Sequence, residues 1–396
     1  MKPEVFGYVQ PGFEHVKEVF IENFERRREV GAAFAAVIDD KVVVNLWGGY
    51  CDEEGSNLWE EDTVCILFST TKGLSSLAFL LAIDRGWIDV DAPIARYWKE
   101  FAQNGKENIT VRQLLSHQAG LCATDEYITK DILCNEKKLS QILAKQKPLW
   151  RPGDYQGYHA WTIAMYQNEI LLRVDPKKRH IHQFFEEEIA DILKLNIHIG
   201  LPRYYDKTKV AELIPLDLNS VVRGSISFLP LLSLKDMAKH GFLFGKSLIN
   251  LPFAINLRSL NSPSFRTVPL GSGNGYSSAL SLAKLYGEIA CGGKKLGLKP
   301  ATLDLLEEPA ELPKISTKDI AIHVDVPFHL GFAKSCNYRK FGNSHRGICS
   351  FGAGGSAVYA DPDNKLGMAY VMNRMNAYVA RDPREEALKD ALYGCL

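Results

Sequence analysis

Apolar residues open the chain at three- and four-residue spacing. Phe13, Val16, Val19, Phe20 and Phe24 fall on one face of a helix predicted over residues 9–30. Two short apolar runs follow, 31–38 and 41–47, separated by Asp39-Asp40. They read as a β-hairpin closed by a two-residue turn. From about residue 69 to 250 helical spacing dominates, with segments at 73–85, 111–116, 161–173 and 182–193. Loops rich in proline and glycine, at 150–154 and 199–202, divide them. A further helix is expected over 277–291, then strands at 356–360 and 366–372 around Asp361-Pro362-Asp363-Asn364, then a closing helix over 381–393. Strands at both ends with helices between predict an α+β fold. One sheet is built by both termini, and a helical insertion lies beside it.

Composition narrows the function classes. Lysine plus arginine total 47 and so do aspartate plus glutamate, for a formal net charge of +0. That balance argues against binding nucleic acid or an anionic membrane by bulk charge. No run reaches the roughly 18 apolar residues of a membrane helix, and the first residues lack the apolar core of a signal peptide. None of the eight cysteines forms a CxxC pair, so zinc-knuckle and redox-motif readings lack support. Free thiols in a reducing cytoplasm are expected.

The sharpest candidate chemistry is Phe68-Ser69-Thr70-Thr71-Lys72-Gly73-Leu74, which leads into an apolar helix. A serine at a helix start has its backbone N–H among unpaired donors and can help stabilise an oxyanion. Lys72, three residues on, returns to the same face. It can accept the serine proton once burial leaves it neutral. The spacing alone is weak, because a capping serine and a surface lysine also satisfy it. Ser281-Leu282-Ala283-Lys284 repeats the spacing inside a helix without an apolar entry loop, and reads as structural.

Other motifs follow in order: Ile109-Thr110-Val111-Arg112-Gln113-Leu114-Leu115-Ser116-His117-Gln118-Ala119-Gly120-Leu121, then Tyr158-His159-Ala160, then Ser350-Phe351-Gly352-Ala353-Gly354-Gly355-Ser356. This order resembles the serine β-lactamase and penicillin-binding-protein superfamily, in particular its class C-like branch and family VIII carboxylesterases. The resemblance runs from about residue 10 to 392. It implies a β-lactamase/transpeptidase-like fold with an antiparallel sheet and flanking helices. It implies a discontinuous domain of residues 1–85 and 250–396, a mostly helical domain of 86–249, and an active site between them. Residue by residue, it makes Ser69 the nucleophile, Lys72 its partner and Tyr158 a general base or acid. The backbone N–H groups of Ser69 and Ala353 become the oxyanion donors. His159, Ser350, Phe351 and Gly352 are expected to meet substrate. Neutral Lys72 and a Tyr158 phenolate both remain open as the base.

Departures from the family pattern shape the expected substrate. Ala160 stands where β-lactamases carry Asn, Ser350 where Lys or His is usual, and Phe351 where Thr or Ser is usual. A site without a cation does not reward an anionic substrate. A neutral ester with a short-to-medium acyl group is therefore expected, and weak or absent β-lactamase activity. His345 is a candidate stand-in cation. His117 reads as a buried structural histidine, and Gly120 as a helix-stop glycine.

Three further motifs are set aside. His180-Ile181-His182 has no partner at ligand spacing. The stretch 241–247 is one residue short of a P-loop and has no leading strand. The Gly-rich stretch 271–276 reads as a helix-entry loop, with a substrate-facing loop as the alternative. The resulting expectation is a serine hydrolase, carboxylesterase-like, acting on a small-molecule ester or amide with no cofactor or metal. The oligomeric state stays open. The alternatives are a D-amino-acid-type peptidase or acyltransferase on the same site, and a catalytically degenerate scaffold.

Overall fold

In the computed structural model, residues 4–216, 243–249, 256–378 and 380–396 are described. The predicted hairpin is its spine. Strands β1 (Val5–Val9), β2 (Gly31–Ile38) and β3 (Lys41–Gly49) come from the N-terminal side. Three short strands follow: β4 (Cys65–Ile66), β5 (Ile197–Ile199) and β6 (Gly275–Ser277). The C-terminal side adds β7 (Phe328–His329), β8 (Phe332–Lys334), β9 (Ile348–Phe351), β10 (Ala357–Asp361) and β11 (Leu366–Met372). The main sheet is antiparallel in the order β1-β3-β2-β11-β10-β9-β8-β7, and β4-β6-β5 form a second. Strands from the two ends thus meet at its centre, where Tyr370 pairs with Phe34.

Strand β2 is apolar throughout because both of its faces are covered. Ala33, Ala35 and Val37 join one core cluster, and Ala32, Phe34 and Ala36 the other. Helices α1 (Glu14–Arg26) and α5 (Pro383–Tyr393) cover the second face. Helices α2 (Thr71–Asp84), α3 (Thr162–Val174) and α4 (Ala279–Ala290) belong to the first cluster. Asp39 and Asp40 both take positive φ, 48° and 63°, as a type I′ hairpin turn needs.

The predicted helix over 9–30 shortens to α1, and β1 precedes it. Strand β1 is a sheet edge with little burial, so it lacks the apolar alternation that marks a strand. The helix expected from residue 277 starts at Ala279, because Ser277 belongs to β6 and Ser278 caps the helix by accepting from Ser281 N. The segment expected at 182–193 begins as the helix Ile181–Phe185 and runs through a π turn, Glu186–Ala190. Of the P-loop-like stretch, residues 241 and 242 lie outside the described residues, and Leu243–Ile249 is helical. The second Ser-x-x-Lys is structural as expected: Ser281 Oγ accepts from Asn196 N, and Lys284 is exposed on α4. All eight cysteines are free thiols. Among the described residues no helix is long and apolar enough to cross a membrane.

Candidate active site

Ser69 stands at the entrance to α2. Leu67 N donates to Gly275 O at 2.9 Å, which ties this entrance to β6. Phe68 then adopts a φ of 46°. The left-handed region costs a residue with a Cβ roughly 1–2 kcal/mol. Burial of the Phe68 ring with Val64, Ile66 and Tyr276 offsets that cost. The turn leaves Ser69 half-buried at the head of a helix whose residues Thr71 to Ala82 are all buried. Each leucine or phenylalanine buried there contributes roughly 1.5–3 kcal/mol, so the platform is firmly held.

Lys72 Nζ lies 2.9 Å from Ser69 Oγ and donates to Ser272 O at 2.8 Å. Burial pushes the Lys72 ammonium well below the ordinary lysine value. A neutral amine can donate to Ser272 O and turn its lone pair toward the Ser69 hydroxyl. Ser272 is itself pinned to α3: its Oγ donates to Trp161 O at 2.6 Å and accepts from Ala164 N at 3.1 Å. The Tyr158 hydroxyl hydrogen-bonds the Ser69 side chain, and burial raises its pKa, so the phenol keeps its proton. Lys72 Nζ sits 4.8 Å from the centre of the Tyr158 ring.

The end of β9 presses on the same turn. A Cβ on Gly352 would come 2.2 Å from Leu67 O and 3.2 Å from Ser69 N, so only glycine fits. Ala353 follows, exposed. Ser356 Oγ donates to Leu67 O at 2.8 Å, and Arg384 Nη2 donates to Gly354 O at 2.8 Å. The loop carrying Ala353 is thus fixed from both sides. Phe351 is half-buried, 6.3 Å from the Phe328 ring, which is 5.6 Å from the Tyr158 ring. The three rings form an aromatic wall.

Two expected substrate contacts are not brought to this cleft. Ser350 is buried; its Oγ accepts from the Tyr286 hydroxyl at 3.3 Å and lies against α2 at Gly73. The His159 ring is buried, with Nε2 accepting from Leu121 N at 3.1 Å and Nδ1 donating to Gly157 O at 2.7 Å. Both nitrogens are engaged, and burial lowers its pKa to about 3. His345 is exposed beside Asp363 in the turn before β11, so it does not replace the missing cation. His117 is buried, and its Nδ1 accepts from His159 N at 3.1 Å.

Sequence reasoning did not find Phe328 or Asp319, because neither sits in a motif. Ser272 lies in the Gly-rich stretch that reads as a helix-entry loop, with a substrate-facing loop as the alternative. Among the described residues no group of three or more His, Cys, Asp or Glu could hold a metal ion. His180 is engaged instead with Glu136 and Asn168.

A half-buried serine at a helix head, touched by a buried amine and a protonated phenol, is an arrangement suited to nucleophilic catalysis, and the protein is a serine hydrolase. The β-lactamase family profile matches residues 16–392, nearly the whole chain, and the chain belongs to that family. It is 31% identical over 382 residues to the esterase/beta-lactamase LipL of Mycobacterium tuberculosis, covering 94% of this chain and 83% of LipL. Among solved structures, a family VIII carboxylesterase superposes with a TM-score of 0.85 at 31% identity, covering 99% of this chain and 100% of that one. A penicillin-binding-protein homologue from Caulobacter crescentus gives 0.81 at 30% identity, with the same coverage.

Proposed function

We propose that the protein is a carboxylesterase that forms an acyl-enzyme on Ser69 and prefers neutral esters with short-to-medium acyl groups. The observation that carries this reading is Lys72 Nζ, buried and 2.9 Å from Ser69 Oγ, with the Tyr158 hydroxyl on the same oxygen. Neutral Lys72 takes the Ser69 proton as Oγ attacks the ester carbonyl. The N–H groups of Ser69 and Ala353 hold the oxyanion, each such donor being worth roughly 10²–10³-fold. Tyr158 gives its proton to the departing alkoxide and regains one from Lys72. The same groups then activate water to release the acid. The burial that lowers the Lys72 pKa and raises that of Tyr158 favours this division of labour over a Tyr158 phenolate base.

The aromatic wall of Tyr158, Phe328 and Phe351 suits an uncharged acyl group. Ser350, buried and engaged by the Tyr286 hydroxyl, carries no charge to pair with a substrate carboxylate, so β-lactam hydrolysis is expected to be slow or absent. The reading includes a site between two units, residues 1–85 with 250–396 and residues 86–249.

The test is intact-mass spectrometry after mixing the protein with p-nitrophenyl butyrate and, separately, with a fluorophosphonate. A mass increment is expected on the natural sequence and not on Ser69→Ala. No increment with either reagent, from folded protein, would leave a binding or scaffold role.

A further inference from the structure

Tyr158 lies outside regular secondary structure, so its position has to be fixed from elsewhere. Asp319 does this from 161 residues away. Its carboxylate is buried and accepts four N–H groups. Tyr158 N (3.2 Å), Ala321 N (2.8 Å) and Ile322 N (2.9 Å) meet one oxygen, and Gln156 Nε2 (3.0 Å) meets the other. Gln156 Nε2 also donates to Val326 O at 2.9 Å, so the amide is fixed in its orientation. From the opposite side His117 O accepts from Gly157 N at 3.0 Å, and His117 Nδ1 accepts from His159 N. Each of the residues 156–159 therefore has at least one hydrogen bond to two buried side chains, Asp319 and His117, or to the carbonyls of Val326 and His117.

None of the four donors to Asp319 is a cation. Burying an anion without a counter-ion is unfavourable, and a neutral side chain would be the cheaper occupant unless the charge has a use. We propose that Asp319 is a positioning residue for the reaction, its ionised carboxylate clamping the Gln156 side-chain amide and the Tyr158 backbone N–H so that the Tyr158 hydroxyl stays on Ser69 Oγ. The inference rests on the esterase reading above. Its negative charge also disfavours a Tyr158 phenolate, which keeps that group a proton donor.

The clamp needs an ionised carboxylate, since a protonated oxygen would face N–H donors with a hydrogen of its own. Burial raises the Asp319 pKa to about 6. Among the described residues the Tyr158 phenol and the Cys122 thiol sense its charge, His117 lies against the Tyr158 ring, and buried His323 follows on the same turn, its N donating to Asp319 O at 2.9 Å. His159, at about 3, titrates too low to mask it. Lys72, also shifted downward, is the other group whose protonation would remove activity on the acid side.

The experiment compares the full chain with its Asp319→Asn variant. It measures kcat and KM for p-nitrophenyl butyrate between pH 4.5 and 8.5, and the rate of Ser69 labelling by a fluorophosphonate. Asn keeps one acceptor oxygen but opposes Gln156 Nε2 with a second donor. At pH 8 a fall in kcat of at least tenfold is expected, with KM within about twofold and labelling slowed in parallel. The acid limb of kcat, centred near pH 6 in the natural protein, is expected to be lost or displaced. Circular dichroism establishes that the variant is folded, and Asp319→Glu is expected to recover part of the rate if it folds. A folded Asn variant with unchanged kcat and acid limb would overturn the positioning role while leaving the esterase reading standing. A natural protein that neither turns over the ester nor labels would overturn both.

Discussion

Lys72 and Asp319 are each buried away from the form that water would give them, and the consequences have opposite signs. For Lys72 burial disfavours the charge, and neutrality is what the proposed proton transfer from Ser69 needs. For Asp319 burial disfavours the charge that the clamp needs. The folded protein holds a proton on Asp319 up to about pH 6, against about 3.8 for the unfolded chain. A carboxyl whose folded pKa is raised loses stabilisation as pH rises between those two values. The loss levels off above about pH 6 at about 3 kcal/mol, at roughly 1.4 kcal/mol per pKa unit. Asparagine does not titrate. The melting temperature of Asp319→Asn relative to the natural protein is therefore expected to rise between pH 4 and pH 7.5, while its activity falls. A relative melting temperature that stays level across this range would show that folding does not raise the Asp319 pKa. The Ser69–Lys72 pair was legible in the sequence from spacing and entry loop. Asp319 was not, because its role comes from a contact across 161 residues, which no local pattern encodes.

At the scale of the element, α2 is placed by an approach closer than a methyl group allows. A Cβ on Gly73 would lie 2.0 Å from Tyr286 Oη and 2.4 Å from Ser350 Oγ. Gly73→Ala is expected to push α2 from β9 and α4, destabilising the fold by about 1–3 kcal/mol as overpacked cores do. It is also expected to lower kcat, because Ser69 and Lys72 ride on the same helix. Urea unfolding and ester turnover check both parts, and a variant with the natural midpoint and rate would mean that β9 yields freely. The same contact accounts for Ser350: with Tyr286 Oη filling the space, the position holds a small hydroxyl. The central hairpin, α2, α3, α4, β11 and α5 followed from apolar spacing and turn residues. Strand β1 escaped because its pattern is half-exposed, and β4, β7 and β8 because two or three residues are too few to show a period. The substrate role expected of His159 came from adjacency to Tyr158, but the chain turns that ring inward to satisfy Leu121 N and Gly157 O.

Across the whole molecule, Arg384 ties the outer layer to the loop that carries Ala353. All five of its side-chain N–H groups are engaged, by Asp382, Glu29, Arg374 O and Gly354 O. Arg384→Met is expected to destabilise by about 3–5 kcal/mol, because Glu29 and Asp382 would be left buried without their partner. The loss should appear in chemical denaturation, together with slower fluorophosphonate labelling as Gly354 O is released. A small change in both would mean that water replaces the guanidinium. The meeting of β2 with β11 has a further consequence, in time rather than in space. Gly31 N donates to Asn373 Oδ1 across 342 residues of chain. A topology dominated by such distant pairings has a high contact order and folds slowly. As the chain leaves the ribosome, β2 emerges early and waits as an unpaired edge, open to aggregation, until nearly everything after it has been made. Ser69, at the entrance to α2, is synthesised long before β9 arrives to press against its turn, so the earliest moment at which the proposed site is complete is set by the last strands.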